Sequence, residues 1–194
     1  RGVPSAKIVT ETGIRLPAWL VAMSPPPAPA SDEACMRFAI AISRENVARR
    51  SGGPFGAAIR LDATGEIIGV GVNVAMASGN PVLHAETVAI SLAGRRLPAF
   101  NQNGQGGVTL FTSCEPCIMC LGASHWAEIG RIVSGALKED AEAVGFSEGA
   151  GTEQLRVEME ARGVAFQSGF QRAEAAAVLR EYAVQGGVIY GPES

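Results

Sequence analysis

Polar and apolar positions alternate in two distinct rhythms along the chain. In "SDEACMRFAIAISRENVARR" apolar residues recur at helical spacing behind Ser31 or Asp32, either of which can cap a helix running to about residue 50. "GGPFGAAIRL" and "GEIIGVGVN" are short apolar runs joined by the turn "DATG", which predicts a β-hairpin. "SGNPVLHAETVAISLAG" predicts a helix with Asn80 as cap, Pro81 at the first helical position and Gly94 as stop. A Gly/Asn/Gln loop (101–107) leads to a strand, "VTLFTS", and then to a helix in "CEPCIMCLGASHWAE" with Pro116 in its first turn. "RIVSGAL" reads as a strand, "EDAEAVGF" as a loop or short helix, and "TEQLRVEMEAR" as a helix. "GVAFQSGF" reads as the last strand, and "QRAEAAAVLREYAVQ" as a final helix stopped by Gly186 and Gly187. Strands alternating with helices predict an α/β fold: a three-layer α/β/α sandwich with a sheet covered on both faces.

Residues 1–30 form an arm with "LPAWL" and the polyproline II spacer "SPPPAPAS". The domain then spans 31–185, and 186–194 is a C-terminal tail.

One stretch breaks the apolar rhythm. In "HAETVAI", His84 and Glu86 stand two apart, about 200° round a helix, so they share no face. A place in the first turn resolves this, because groups there can flank a target beyond the helix end. Cys117 and Cys120 are three apart, about 60° round a helix, so both sulfurs reach one ion. A helix N-terminus also favours thiolate over thiol. With His84 they make three zinc ligands, and a catalytic zinc keeps its fourth position for water. Glu86 is then the acid/base beside a zinc-bound water delivered as hydroxide. H-A-E followed by P-C-x-x-C is the signature of zinc deaminases, in which the glutamate is not a ligand. A structural zinc closed by Cys114 or His125 stays open as an alternative, though it leaves Glu86 without a task. Cys114 and Cys35 otherwise read as small buried hydrophobes.

Composition narrows the classes. At 194 residues, 47% hydrophobic and 18% charged, the chain suits one compact domain. A net charge of −3 argues against a broad basic surface, so nucleic acid is not an expected partner. No run of 18 apolar residues predicts a membrane span, and no signal-peptide pattern is evident, so the expected location is cytoplasmic. Three of the four cysteines fall within seven residues, which suits metal binding rather than a disulfide framework.

At "HAE" and "TSCEPCIMC" the sequence resembles the cytidine-deaminase-like superfamily. "GGPFGAAI", "GVN", "HAETVAI", "TSCEPCIMCLGASHWA" and "EDAEAVGF" resemble its guanine deaminase branch, from about residue 35 to "GGVIY". "IRLPAWL" is similar to an N-terminal segment of some bacterial members, which implies a docked arm. The resemblance implies a mixed sheet of about five strands, one Zn2+ per subunit, and a homodimer whose subunits exchange C-terminal tails. It implies that Asn73 holds the purine through its side-chain amide, that Phe55, Ala85 and Trp126 belong to the substrate pocket, and that Tyr190 reaches the site from the tail. It also implies a second catalytic carboxylate after "RIVSGAL", with Glu142 the first choice and Asp140 the second. His125 and Ser124 stand where similar proteins carry bulkier residues.

The expected reaction is hydrolysis of guanine to xanthine and ammonia, with Glu86 as proton shuttle. The alternatives are another amino-heterocycle (a triazine such as ammeline, cytosine, guanosine or a pterin), adenosine in transfer RNA, or a non-enzymatic zinc module. The acidic composition, "SHW" and the tail tyrosine count against transfer RNA.

Overall fold

A computed structural model of the chain describes residues 13–97 and 107–191. Residues 1–12 of the arm, most of the loop predicted at 101–107 and the last three residues of the tail lie outside the described residues. The element order is α1 (Ala18–Val21), α2 (Asp32–Ala48), β1 (Gly56–Leu61), β2 (Glu66–Val72), α3 (Ala75–Ser78), α4 (Ala85–Gly94) and β3 (Val108–Cys114). It continues with α5 (Ile118–Trp126), β4 (Arg131–Ala136), α6 (Lys138–Glu142), α7 (Thr152–Ala161), β5 (Ala165–Gln167) and α8 (Arg172–Val184).

The five strands form one mixed sheet in the order β2-β1-β3-β4-β5. β1 runs antiparallel to β2 and β3, while β3, β4 and β5 are parallel. Every residue of β3 is buried, as expected of a central strand packed on both faces. Successive side chains serve opposite layers. Ala58, Phe111 and Val133 face α2 and α8, while Ala57, Ile59, Leu110 and Ile132 face α4, α5 and α7. The fold is therefore the expected α/β sandwich.

Two local features fix the helices. Ser31 caps α2 by accepting from the Ala34 amide at 3.3 Å, a contact of a type worth about 1 kcal/mol. At Gly71 in β2, an added Cβ would lie 2.1 Å from the Ala85 carbonyl oxygen, so the missing side chain lets α4 press directly onto the sheet. Within the described part of the arm, Leu20 is buried, and Leu16, Trp19 and Met23 pack against the core on the α2 side.

Helix starts differ from expectation. α4 begins at Ala85 and not at Pro81, because Asn80 closes a turn of its own. Its Oδ1 accepts from the Val82 amide (3.2 Å) and its carbonyl from the Leu83 amide (3.2 Å). α5 begins at Ile118, leaving Pro116 just outside. α3 was not anticipated, and β5 is shorter than "GVAFQSGF" suggested.

Candidate metal centre and substrate pocket

His84 and Cys117 are the N-cap residues of α4 and α5, both with extended backbone. Each carbonyl starts its helix, accepting from the Val88 amide (3.0 Å) and the Leu121 amide (2.9 Å) respectively. Neither side chain is used as a cap, so both point beyond the helix ends, and Cys120 joins them from the first turn of α5. His84 Nδ1 lies 3.5 Å from Cys117 Sγ and 3.6 Å from Cys120 Sγ. The three donor atoms all fall within 4.8 Å of one another. Tetrahedral zinc, with bonds of about 2.0–2.3 Å, holds its donors about 3.5–3.8 Å apart, so this donor set fits that ion.

The electrostatics suit a cation. A hydrogen bond from Cys120, aided by His84 and working against burial, pulls the Cys117 thiol down to about 4. Burial lowers the His84 imidazole, but the hydrogen bond and charge of Cys117 outweigh it, so its pKa rises. Among the described residues no fourth protein donor joins the group. Cys114 is buried behind it with Sγ directed at the Leu137 carbonyl (3.7 Å), and His125 packs edge-on against Trp126.

Glu86 is 4% exposed and stands over this cluster. Its Oε1 accepts from the Thr112 hydroxyl (3.0 Å) and its Oε2 from Cys120 Sγ (3.3 Å). Burial, reinforced by Cys117, pushes its pKa up. The cluster borders a cavity of about 500 Å3 lined by Phe55, His84, Glu86, Cys117, Phe146, Glu148 and Tyr190, with Pro81, Glu115 and Met119 among the further wall residues. Phe55 and Phe146 meet edge to face at 5.0 Å, and Tyr190 approaches both Phe146 and His84 at 6.3 Å. The antiparallel pairing of β1 with β2 places Phe55 beside Asn73, whose amide donates to the Phe55 carbonyl (3.1 Å). Asn73 is buried and does not itself line the cavity; its Nδ2 donates to the hydroxyl of Tyr190, which does.

Four expected residues lie elsewhere. Trp126 is 81% exposed at the end of α5, because the buried Ser124, two residues earlier, takes the inward direction. Ala85 is buried and does not line the cavity; its carbonyl faces Gly71. Glu142 is exposed and pairs with Lys138 (3.5 Å). Asp140 accepts from the Leu137 amide (2.9 Å) at the start of α6 and pairs with Arg172 (2.8 Å).

Besides Glu86, the cavity is lined by Glu115, whose carboxylate accepts from the Lys138 amide (2.9 Å) and the Ser168 hydroxyl, and by Glu148, 8% exposed and with no hydrogen-bond partner for its carboxyl among the described residues. Burial, with Cys117 and Glu86 adding, pushes its pKa to about 8. Gly149 follows it with φ 79°, a left-handed turn that keeps the segment against α5, where the Ile118 amide donates to the Glu148 carbonyl (3.1 Å). The one signal available in the sequence was an acidic residue directly before a glycine, six positions beyond Glu142.

Residues 29–136, more than half of the chain, match the cytidine and deoxycytidylate deaminase zinc-binding region. The chain belongs to that family. This deaminase is 40% identical to the guanine deaminase of Bacillus subtilis over 116 residues, 60% of its own length and 71% of that protein's. The solved guanine deaminase from Nitrosomonas europaea superimposes with a TM-score of 0.84 at 36% identity, covering 92% of this chain and 100% of that one. NE0047 in complex with 2,6-diaminopurine gives a TM-score of 0.83 at 37% identity, covering 92% and 96%. These relatives put the deaminase in the guanine deaminase branch, and it is a zinc-dependent hydrolase acting on nucleobases.

Proposed function

We propose that the deaminase hydrolyses guanine to xanthine and ammonia, with His84, Cys117 and Cys120 as zinc ligands. The observation that carries this reading is the buried Glu86 carboxyl, held by Thr112 and Cys120 where the three metal donors meet an aromatic cavity. Zinc bound to three protein ligands supplies a water whose pKa falls from about 15.7 towards about 7. Glu86 takes a proton from the attacking water and returns it to a ring nitrogen. Glu148, held beside the start of α5 by the Ile118 amide, takes the part expected of Glu142 or Asp140: it protonates the departing amine and takes back the hydroxyl proton of the intermediate as the new carbonyl forms. Phe55, Phe146 and Tyr190 enclose the flat ring and exclude water. Asn73 offers its side-chain amide to the ring edge in exchange for the Tyr190 hydroxyl.

The working form in this reading is a cytoplasmic homodimer with one zinc per subunit and exchanged tails. In the single chain Tyr190 reaches its own pocket; exchange makes the same contacts across two subunits. The three-ligand cluster favours this enzyme over a closed structural zinc, and among the described residues no helix is long and apolar enough to cross a membrane.

The test is ammonia release from a panel of guanine, guanosine, cytosine, ammeline, a pterin and an adenosine-containing transfer RNA. Guanine is expected to give the highest kcat/KM, and the same preparation to sediment as a dimer. Preference for another substrate overturns the guanine assignment, and a monomer at full activity overturns tail exchange.

A further inference from the structure

We infer that the N-terminal arm positions the substrate-holding Asn73 through a hydrogen-bond relay that runs from the half-buried Trp19 and Ser51 to the buried Asn46. The inference rests on the proposal that Asn73 grips the base. Trp19 Nε1 donates to Ser51 Oγ at 3.0 Å, and the Ser51 hydroxyl donates to Asn46 Oδ1 at 2.8 Å. That bond fixes which way the Asn46 amide faces. Asn46 Nδ2 then donates to the Gly53 carbonyl (2.8 Å) and to the Asn73 carbonyl (2.9 Å). Asn46 is fully buried, so its two donors have no water to fall back on.

Asn73 is thereby held at both ends. Asn46 fixes its backbone, while its own Oδ1 accepts from the Ala75 amide at 3.2 Å, which directs Nδ2 at the hydroxyl of Tyr190, a residue that lines the cavity. Trp19 lies 27 positions before Asn46 in the chain, and it is kept over the end of α2 by core packing and by the Arg49 guanidinium 5.8 Å from its ring. Without the indole donor, Ser51 can turn its hydroxyl to the Asn46 backbone carbonyl, already 3.4 Å away, and the side-chain amide loses its orientation. A loosened Asn73 weakens the base equally in the ground and transition states, which raises KM and leaves kcat in place.

The experiment compares Trp19→Phe, Ser51→Ala and Ser51→Thr with the parent, all as the zinc-loaded full chain with guanine. Trp19→Phe keeps a ring and removes the donor; Ser51→Thr keeps the hydroxyl. KM is expected to rise about 3- to 10-fold in Trp19→Phe and Ser51→Ala, the factor one net hydrogen bond supports, with kcat within about 2-fold. Ser51→Thr should restore the parent KM, and zinc content should not change. Adding Asn73→Ala to Ser51→Ala should raise KM no further than Asn73→Ala alone. If Ser51→Ala lowers Tm without moving KM while Asn73→Ala does raise KM, the arm is packing alone and the relay is overturned. If Asn73→Ala leaves KM unchanged, the assignment of Asn73 to the base falls first, and the relay falls with it.

Discussion

The two walls of the pocket are built in opposite ways. The metal wall comes from two helix starts, with His84 and Glu86 two residues apart and Cys117 and Cys120 three apart, each pair fixed by local helical geometry. The ring wall draws Phe55, Phe146, Glu148 and Tyr190, with Asn73 bonded to Tyr190, from segments spread over most of the chain. Local spacing places the first wall before any tertiary contact is known. The second exists only once β1 has paired with β2 and the 146–149 segment has turned in against α5.

The comparison implies a hierarchy of losses. Glu86→Gln keeps the shape of the metal wall and removes the proton carrier, so kcat should fall about 10²–10⁴-fold with zinc content unchanged, measured by ammonia release beside metal analysis. Comparable kcat in that variant would mean that the metal wall does no proton chemistry.

Next comes the ring wall. Glu148→Gln should lower kcat by about 10²-fold, the low end of general acid/base help, while Glu142→Gln should stay within about 2-fold. The reverse order would return the second carboxylate to the α6 surface.

The smallest effect lies outside both walls. Asp32 bridges Arg60 and Arg131 at 2.7 Å each, and against the upward pull of burial those two arginines hold its carboxyl below 3.8. A lowered pKa gives stability that is present above pH 3.8 and lost as the pH falls through the folded value. Asp32→Asn should therefore lower Tm at pH 7 by a few degrees, a gap that narrows below about pH 4, with kcat unaffected throughout. A gap that stays constant with pH would show that the bridge contributes by packing and not by charge.

Most of the sandwich and the whole metal wall were legible in the sequence, because hydrophobic period and motif spacing are local properties. Helix starts were read less well. A proline after an asparagine signals a cap, yet Asn80 spends its side chain on a separate turn and His84 becomes the cap. Trp126 looked like a pocket wall because it is aromatic and near the motif, but its direction depends on which face of α5 is buried, and that is settled by α4 and α7. Glu142 and Glu148 are both acidic residues in the same stretch. Only the turn at Gly149 and the contact with Ile118 separate a solvated side chain from one enclosed in the cavity. The relay from Trp19 to Asn73 joins residues 54 positions apart by sequence number and leaves no periodic trace.

The bare backbone at Gly71 has a consequence for inheritance. An added methyl there would collide with the first carbonyl of the histidine-bearing helix and tilt the imidazole away from both sulfurs. A mutation on a strand with no chemistry of its own would thus unmake the ion's seat, so the reaction is guarded by a position that contributes no atoms to it.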